Sequence, residues 1–241
     1  MRVSSSVEFP TGAIAFTQVV SASAVGQSGP PYTYNVCAKT STSNSPAILI
    51  DADIEFNPKQ SFSTASPTPA GRFDVQAIAS HEFGHLLGLD HSGIAHTMMF
   101  PFGDRGASEQ RDLAVDDVMG VAFLYPADSF AAATGRISGK VTLNGSGIFA
   151  SHVVAVDSTT GVAVLDGLTN DDGTYTLTGV PLGTYHVLAL PLGTIYSLDD
   201  FSGWSCGYAP NSPPCCDPET DPTTCTGQAQ SPPTNYSGKF F

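Results

Sequence analysis

The segment His81-Glu82-Phe83-Gly84-His85-Leu86-Leu87-Gly88-Leu89-Asp90-His91 constrains this chain more tightly than any other. On a helix, residues four apart project from one face about one turn apart, so His81 and His85 can share one metal ion. Gly88 lets the backbone leave the helix in a conformation that a residue with a Cβ would resist, which turns His91 back toward the same ion. Three neutral imidazoles at roughly 2.0 to 2.1 Å suit Zn²⁺ and keep a fourth position for water. Glu82 neighbours the first ligand and reaches toward that position rather than toward the metal. Zinc-bound water has a pKa near 7, so Glu82 is placed to take its proton and deliver it to a leaving amine. Peptide-bond hydrolysis without a covalent intermediate is the chemistry that such an arrangement serves.

The flanking residues read as one α+β unit as far as Pro126. Residues 13–20 and 47–56 are expected strands, the second carrying Ile48, Ile50 and Ile54 among acids. The Ser/Thr/Pro-rich stretch 57–71 is expected to be loop. Asp74 is a suitable N-cap for a helix from Val75 to about Leu87, with Val75, Ile78, Ala79, Phe83 and Leu86 on one stripe and Gly88 as its left-handed end. A second helix is expected from about Ala114 to Leu124, with Asp112 available as its cap and Pro126 just past its end.

Beyond Pro126 the period shortens. Ile137, Val141 and Leu143 alternate with Ser138, Lys140 and Thr142, and similar runs follow at 153–156, 162–165, 175–177 and 185–189. Short strands at this spacing, separated by turns such as Asn170-Asp171-Asp172-Gly173, predict an all-β sandwich. The expected layout is therefore 1–126, a linker 127–134, a sandwich 135–196 and a Cys/Pro-rich tail 197–241.

Composition closes off other classes. The chain has 9 Lys+Arg against 22 Asp+Glu, a net charge of −13, which leaves no basic surface for nucleic acid. Its longest apolar run, 119–125, falls well short of the roughly 18 residues of a membrane span. Hydrophobic residues at 41% are enough for a core and argue against disorder. Cys206, Cys215, Cys216 and Cys225 crowd into the tail while Cys37 stands alone. That pattern reads as disulfides in an oxidising compartment, with a metal knuckle as the rival reading. Residues 1–24 make a poor signal peptide, so the expectation is a start inside a longer natural sequence or a mis-assigned initiator.

The eleven-residue segment resembles the metzincin signature H-E-x-x-H-x-x-G-x-x-H. His91-Ser92, followed by Met98-Met99-Phe100-Pro101, is similar to the Met-turn of matrixin-like metalloproteases. Asp51-Ala52-Asp53-Ile54-Glu55-Phe56-Asn57 resembles the strand before their active-site helix. Leu113 to Tyr125 resembles their closing helix. The resemblance covers roughly residues 10–126 and implies a metzincin α+β fold, a secreted or extracellular zinc endopeptidase and a protein or peptide substrate. It implies His81, His85 and His91 as ligands, Glu82 as general base, residues 13–20 as the strand above the cleft, and Pro101-Phe102-Gly103 as a pocket wall. The chain departs from the family in having little before Ala13, no cysteine-switch propeptide, and Ala114 where a Ser cap is usual. Residues 135–191 resemble the carboxypeptidase regulatory-like, transthyretin-like β-sandwich through Gly135-Arg136-Ile137-Ser138-Gly139 and Asp172-Gly173-Thr174-Tyr175, an accessory or structural unit.

Blander roles fit several other residues. His96 reads as a loop residue rather than a fourth ligand, and His152 and His186 as structural. Asp51, Asp53, Asp171 and Asp172 could bind Ca²⁺, but turn and edge chemistry explains them better. A thiolate of Cys37 held against the zinc is a weaker expectation, and a monomer is expected. The alternative to the enzyme is a catalytically silent adhesion or matrix-binding protein with a structural zinc site.

Overall fold

The computed structural model describes residues 13–23, 47–192 and 239–240. Strands β1 (Ala15–Ser23) and β2 (Ala47–Phe56) pair antiparallel from Ala15 opposite Phe56 to Ser23 opposite Ala47, with a register shift after Val20. The stretch expected to be loop holds a short strand, β3 (Phe62–Ser63), parallel to β4 (Phe73–Asp74). Phe62 is drawn there because its ring meets Phe56 edge-on at 5.2 Å, a contact that a local reading of a Ser/Pro-rich segment does not contain.

Helix α1 (Val75–Leu87) has the predicted bounds. Asp74 caps it by accepting from the Ala77 amide at 2.9 Å, an interaction usually worth about 1 kcal/mol. Gly88, at φ 97°, ends it in the left-handed region, and the Leu89 amide donates back to Gly84 O at 3.0 Å. The buried face differs from the expected stripe. Ile78 packs with Phe56 and Phe73, but Phe83 is 53% exposed, because Ala77, Glu82 and Gly84 occupy the inward positions.

A 3₁₀ turn (Glu109–Arg111) leads toward α2 (Val115–Leu124). Asp112 does not cap α2. Ala114 holds the N-cap position without a side-chain acceptor, and its amide is satisfied instead by Asp117 at 2.7 Å. Helix α2 crosses the end of α1: Leu89 lies where a Cβ on Gly120 would come within 2.9 Å, and Tyr125 Oη donates to Leu87 O at 3.0 Å.

Within the expected linker, α3 (Phe130–Ala133) makes one helical turn. Then follow β5 (Thr134–Lys140), β6 (Thr142–Leu143), β7 (Ser146–Gly147), β8 (His152–Asp157), β9 (Ala163–Leu168), β10 (Thr174–Pro181), β11 (Tyr185–Leu190) and β12 (Lys239–Phe240). Strand β10 pairs with β5, and a second sheet has the order β12-β11-β8-β9. Leu177 and Val180 from the first sheet meet Val153, Ala155, Val164, Leu165 and Ala189 from the second in one buried cluster. Burying an aliphatic side chain of this size contributes about 1.5–3 kcal/mol. The Cys-bearing segments and most of the tail lie outside the described residues.

Candidate metal centre

The imidazoles of His81 and His85 leave the same face of α1, and the loop after Gly88 returns His91 to them. Their Nε2 atoms form a triangle with sides of 3.1, 3.2 and 3.3 Å. Three nitrogens bound tetrahedrally to Zn²⁺ at roughly 2.0–2.1 Å would stand about 3.3–3.4 Å apart, close to what these side chains present.

The tautomers argue in the same direction. His81 Nδ1 lies 2.8 Å from Met98 O and His85 Nδ1 lies 2.9 Å from Leu89 O. A carbonyl only accepts, so each Nδ1 carries the proton and each Nε2 turns a lone pair inward. Burial, aided by the neighbouring His85, pushes His81 down to about 3, and burial lowers His85 too, which favours the neutral form of both rings. Two neutral acceptors 3.1 Å apart cannot hydrogen-bond each other; a cation between them satisfies both. Among the described residues, the group of His, Cys, Asp or Glu side chains able to share an ion is this triad.

Glu82 is 4% exposed and lines the same cleft as the three imidazoles. Burial raises its pKa, against the Thr17 hydroxyl, which lies 2.7 Å from both Glu82 Oε2 and Glu82 O. Thr17 sits on β1, and sequence reading missed it.

Met99 is 2% exposed and lies against Gly84 of α1, whose missing side chain makes room for it. The turn around it is held from α2: Asp117, 2% exposed, accepts from the amides of Met98 at 3.0 Å and Met99 at 3.1 Å. Asp117 therefore fixes the segment whose carbonyl orients His81, a role the sequence reading did not assign. At the end of β4, Asp74 also receives Thr68 Oγ1 at 2.6 Å and Arg111 Nε at 2.9 Å, and that guanidinium holds its carboxyl well below the usual range.

The cleft over the triad measures 760 Å³. Residues 13–17 and 100–103 are among those that line it. His96 is exposed in the loop at φ 67° and stands apart from the triad, and His186 is exposed on β11. Asp51 and Asp172 bond locally, to the Ala52 amide at 2.9 Å and to Thr174 Oγ1 at 2.6 Å respectively.

Residues 32–126 match the matrixin family model. The match contains the triad, Glu82, Met99 and Asp117. Matrilysin of Mus musculus is 49% identical over 47 residues, 20% of this chain and 18% of its own. Metalloendoproteinase 2-MMP of Arabidopsis thaliana is 44% identical over 55 residues, 23% of this chain and 14% of its own. Matrix metalloproteinase-25 of Homo sapiens is 37% identical over 78 residues, 32% and 14% respectively. The chain thus spans less than a fifth of the length of each of these relatives. No solved structure matches it. Matrixins are zinc-dependent, and a matrixin segment implies a metzincin α+β arrangement, which the helices and strands up to residue 126 accommodate. No helix among the described residues is long and apolar enough to cross a membrane.

Proposed function

We propose that this chain is a secreted zinc-dependent endopeptidase that hydrolyses protein or peptide substrates, with His81, His85 and His91 as metal ligands and Glu82 as general base. The observation that carries the reading is the pair of inward-facing Nε2 acceptors on α1, 3.1 Å apart, beside a buried carboxylate. Zinc held there would lower the pKa of its water to about 7 and polarise a scissile carbonyl. Glu82 accepts the proton on its carboxylate and returns it to the departing amine. Thr17 holds that carboxylate by its Oε2, so the base needs no reorganisation when substrate arrives. A substrate lies extended along β1, which among the described residues pairs on one side only. Phe102 and Gly103 bound the pocket for the side chain after the scissile bond. Residues 1–126 form the catalytic unit in this reading, and 135–196 an accessory β-sandwich resembling carboxypeptidase regulatory-like domains, supported by its own buried cluster.

Metal analysis and digestion of casein or gelatin test the reading. One zinc per chain, activity abolished by chelator and restored by zinc, and a loss of at least about a thousandfold in Glu82→Ala are expected. A protein that holds stoichiometric zinc and cleaves peptides equally well with Glu82→Ala would refute it. Zinc-dependent folding without any cleavage would instead mark the site as structural.

A further inference from the structure

We infer that Asp166 of β9 is a positioning residue for the metal centre: by holding the backbone at Ser92-Gly93 it fixes His91, so that the zinc affinity of the triad depends on docking of the C-terminal strands. The inference rests on the zinc reading above.

Asp166 Oδ2 accepts from the Gly93 amide at 2.7 Å, and Oδ1 lies 3.3 Å from Ser92 Oγ. Both partners follow His91 directly in the chain. The carboxylate is itself held from behind, because His152 Nε2 lies 2.6 Å from Asp166 Oδ2, with side chains 3% and 10% exposed respectively. From the other side, Asp116 of α2 comes within hydrogen-bond reach of the Ser92 hydroxyl and the Asp166 amide; burial, together with the charge of Asp166, pushes Asp116 up to about 7. Ser92 is thus gripped between α2 and β9, while its own amide donates to Met99 O at 2.9 Å. Three elements from both halves of the chain converge on the two residues that follow the third ligand.

Gly93 shows how close this approach is. A Cβ there would stand 2.6 Å from His152 Nε2 and 2.9 Å from Asp166 Oδ2. A side chain there would have to displace the His152 imidazole or the Asp166 carboxylate from the loop. His81 and His85 stand on α1, whereas His91 follows on the loop after Gly88, directly before the two residues that Asp166 holds. Residues that orient metal ligands from outside the first coordination sphere commonly change affinity by about 10–100-fold when removed. The buried His152, expected to be merely structural, therefore belongs to the support of the centre.

The test uses the full chain and measures zinc release to a chromogenic chelator, together with the rise in unfolding temperature that zinc addition produces. That increment reads affinity even in a destabilised variant. Asp166→Ala and Gly93→Ala should each release zinc at least about tenfold faster and shrink the increment. Asp166→Asn, which keeps an acceptor oxygen, should fall between them and the parent, and Asp171→Asn on an exposed turn of the same strand-rich part should match the parent. Cobalt-substituted Gly93→Ala should show an altered visible absorption as His91 shifts. If Asp166→Ala does not fold, Gly93→Ala and Asp166→Asn decide. Parental zinc release in Gly93→Ala and in whichever Asp166 variants fold would overturn the inference while leaving the peptidase reading intact. Zinc-dependent variants of a parent that cleaves nothing would do the reverse.

Discussion

Replacing Gly84 by Ala sets two effects of opposite sign against each other. Ala is favoured over Gly by about 1 kcal/mol in a helix interior, and Gly84 lies in the middle of α1, so propensity alone predicts stabilisation. The new methyl, however, would stand 2.2 Å from Met99 Sδ and 3.1 Å from Met98 Cε. Ordinary contact is about 3.5–4 Å, so the sulfur would have to move by more than 1 Å. Met99 is 2% exposed, and Asp117 fixes its backbone through the Met98 and Met99 amides, so it has little room to yield. Overpacking of this kind costs about 1–3 kcal/mol, and two methionines are struck at once, which puts the cost near the upper end. The expected net loss is about 2 kcal/mol, or about 4–8 °C in unfolding temperature for a chain of this size. Urea or thermal unfolding of the zinc-loaded protein measures it. A double-mutant cycle sharpens the result: in Met99→Ala the added methyl enters a cavity, so the paired variant should lose at least 1 kcal/mol less than the sum of the single losses. A Gly84→Ala protein as stable as the parent, or an additive cycle, would refute the steric argument.

Thr17→Val keeps the shape of the side chain and removes the donor to Glu82, and a fall of about tenfold in kcat with little change in KM is expected from steady-state peptide kinetics, equivalent to about 1.4 kcal/mol. Asp74→Ala removes both the α1 cap and the partner of Arg111, so a loss of about 2–4 kcal/mol should appear in denaturant unfolding at pH 7. Because the Arg111 guanidinium depresses Asp74 in the folded state, its contribution is present above the unfolded pKa and lost as pH falls through the folded one. The stability gap between parent and variant should therefore be full at pH 6 and narrow steadily below about pH 5; a gap constant from pH 6 to 3 would contradict the assignment.

Local signals carried the sequence reading furthest. Asp74 and Gly88 bracket α1 because each acts on the backbone within a few residues of itself, and the period of the ligands is set by that same helix. The bounds of β2 were legible from its composition and flanks. Distant partners were not legible. Asp112 was the better cap by chemistry, yet Asp117 reaches back to Ala114 while also serving the amides of Met98 and Met99. Phe83 falls on the apolar stripe by spacing, but the inward face of α1 is given over to the site, so the ring is left outside. Thr17 and Asp166 act across 65 and 73 positions respectively, on partners that only the folded chain brings near.

The carboxylate of Asp117 also sets an order in time. It lies 19 and 18 residues after the two amides it holds, so a chain growing from its N-terminus makes all three histidines before it makes the group that steadies the turn whose Met98 carbonyl meets His81. At synthesis rates of about 5–20 residues per second, that interval lasts about 1–4 seconds. During it the amides of Met98 and Met99 exist without the carboxylate that accepts from them in the folded chain. The turn at Met98 and Met99 can take its final hydrogen bonds only once translation has passed α2.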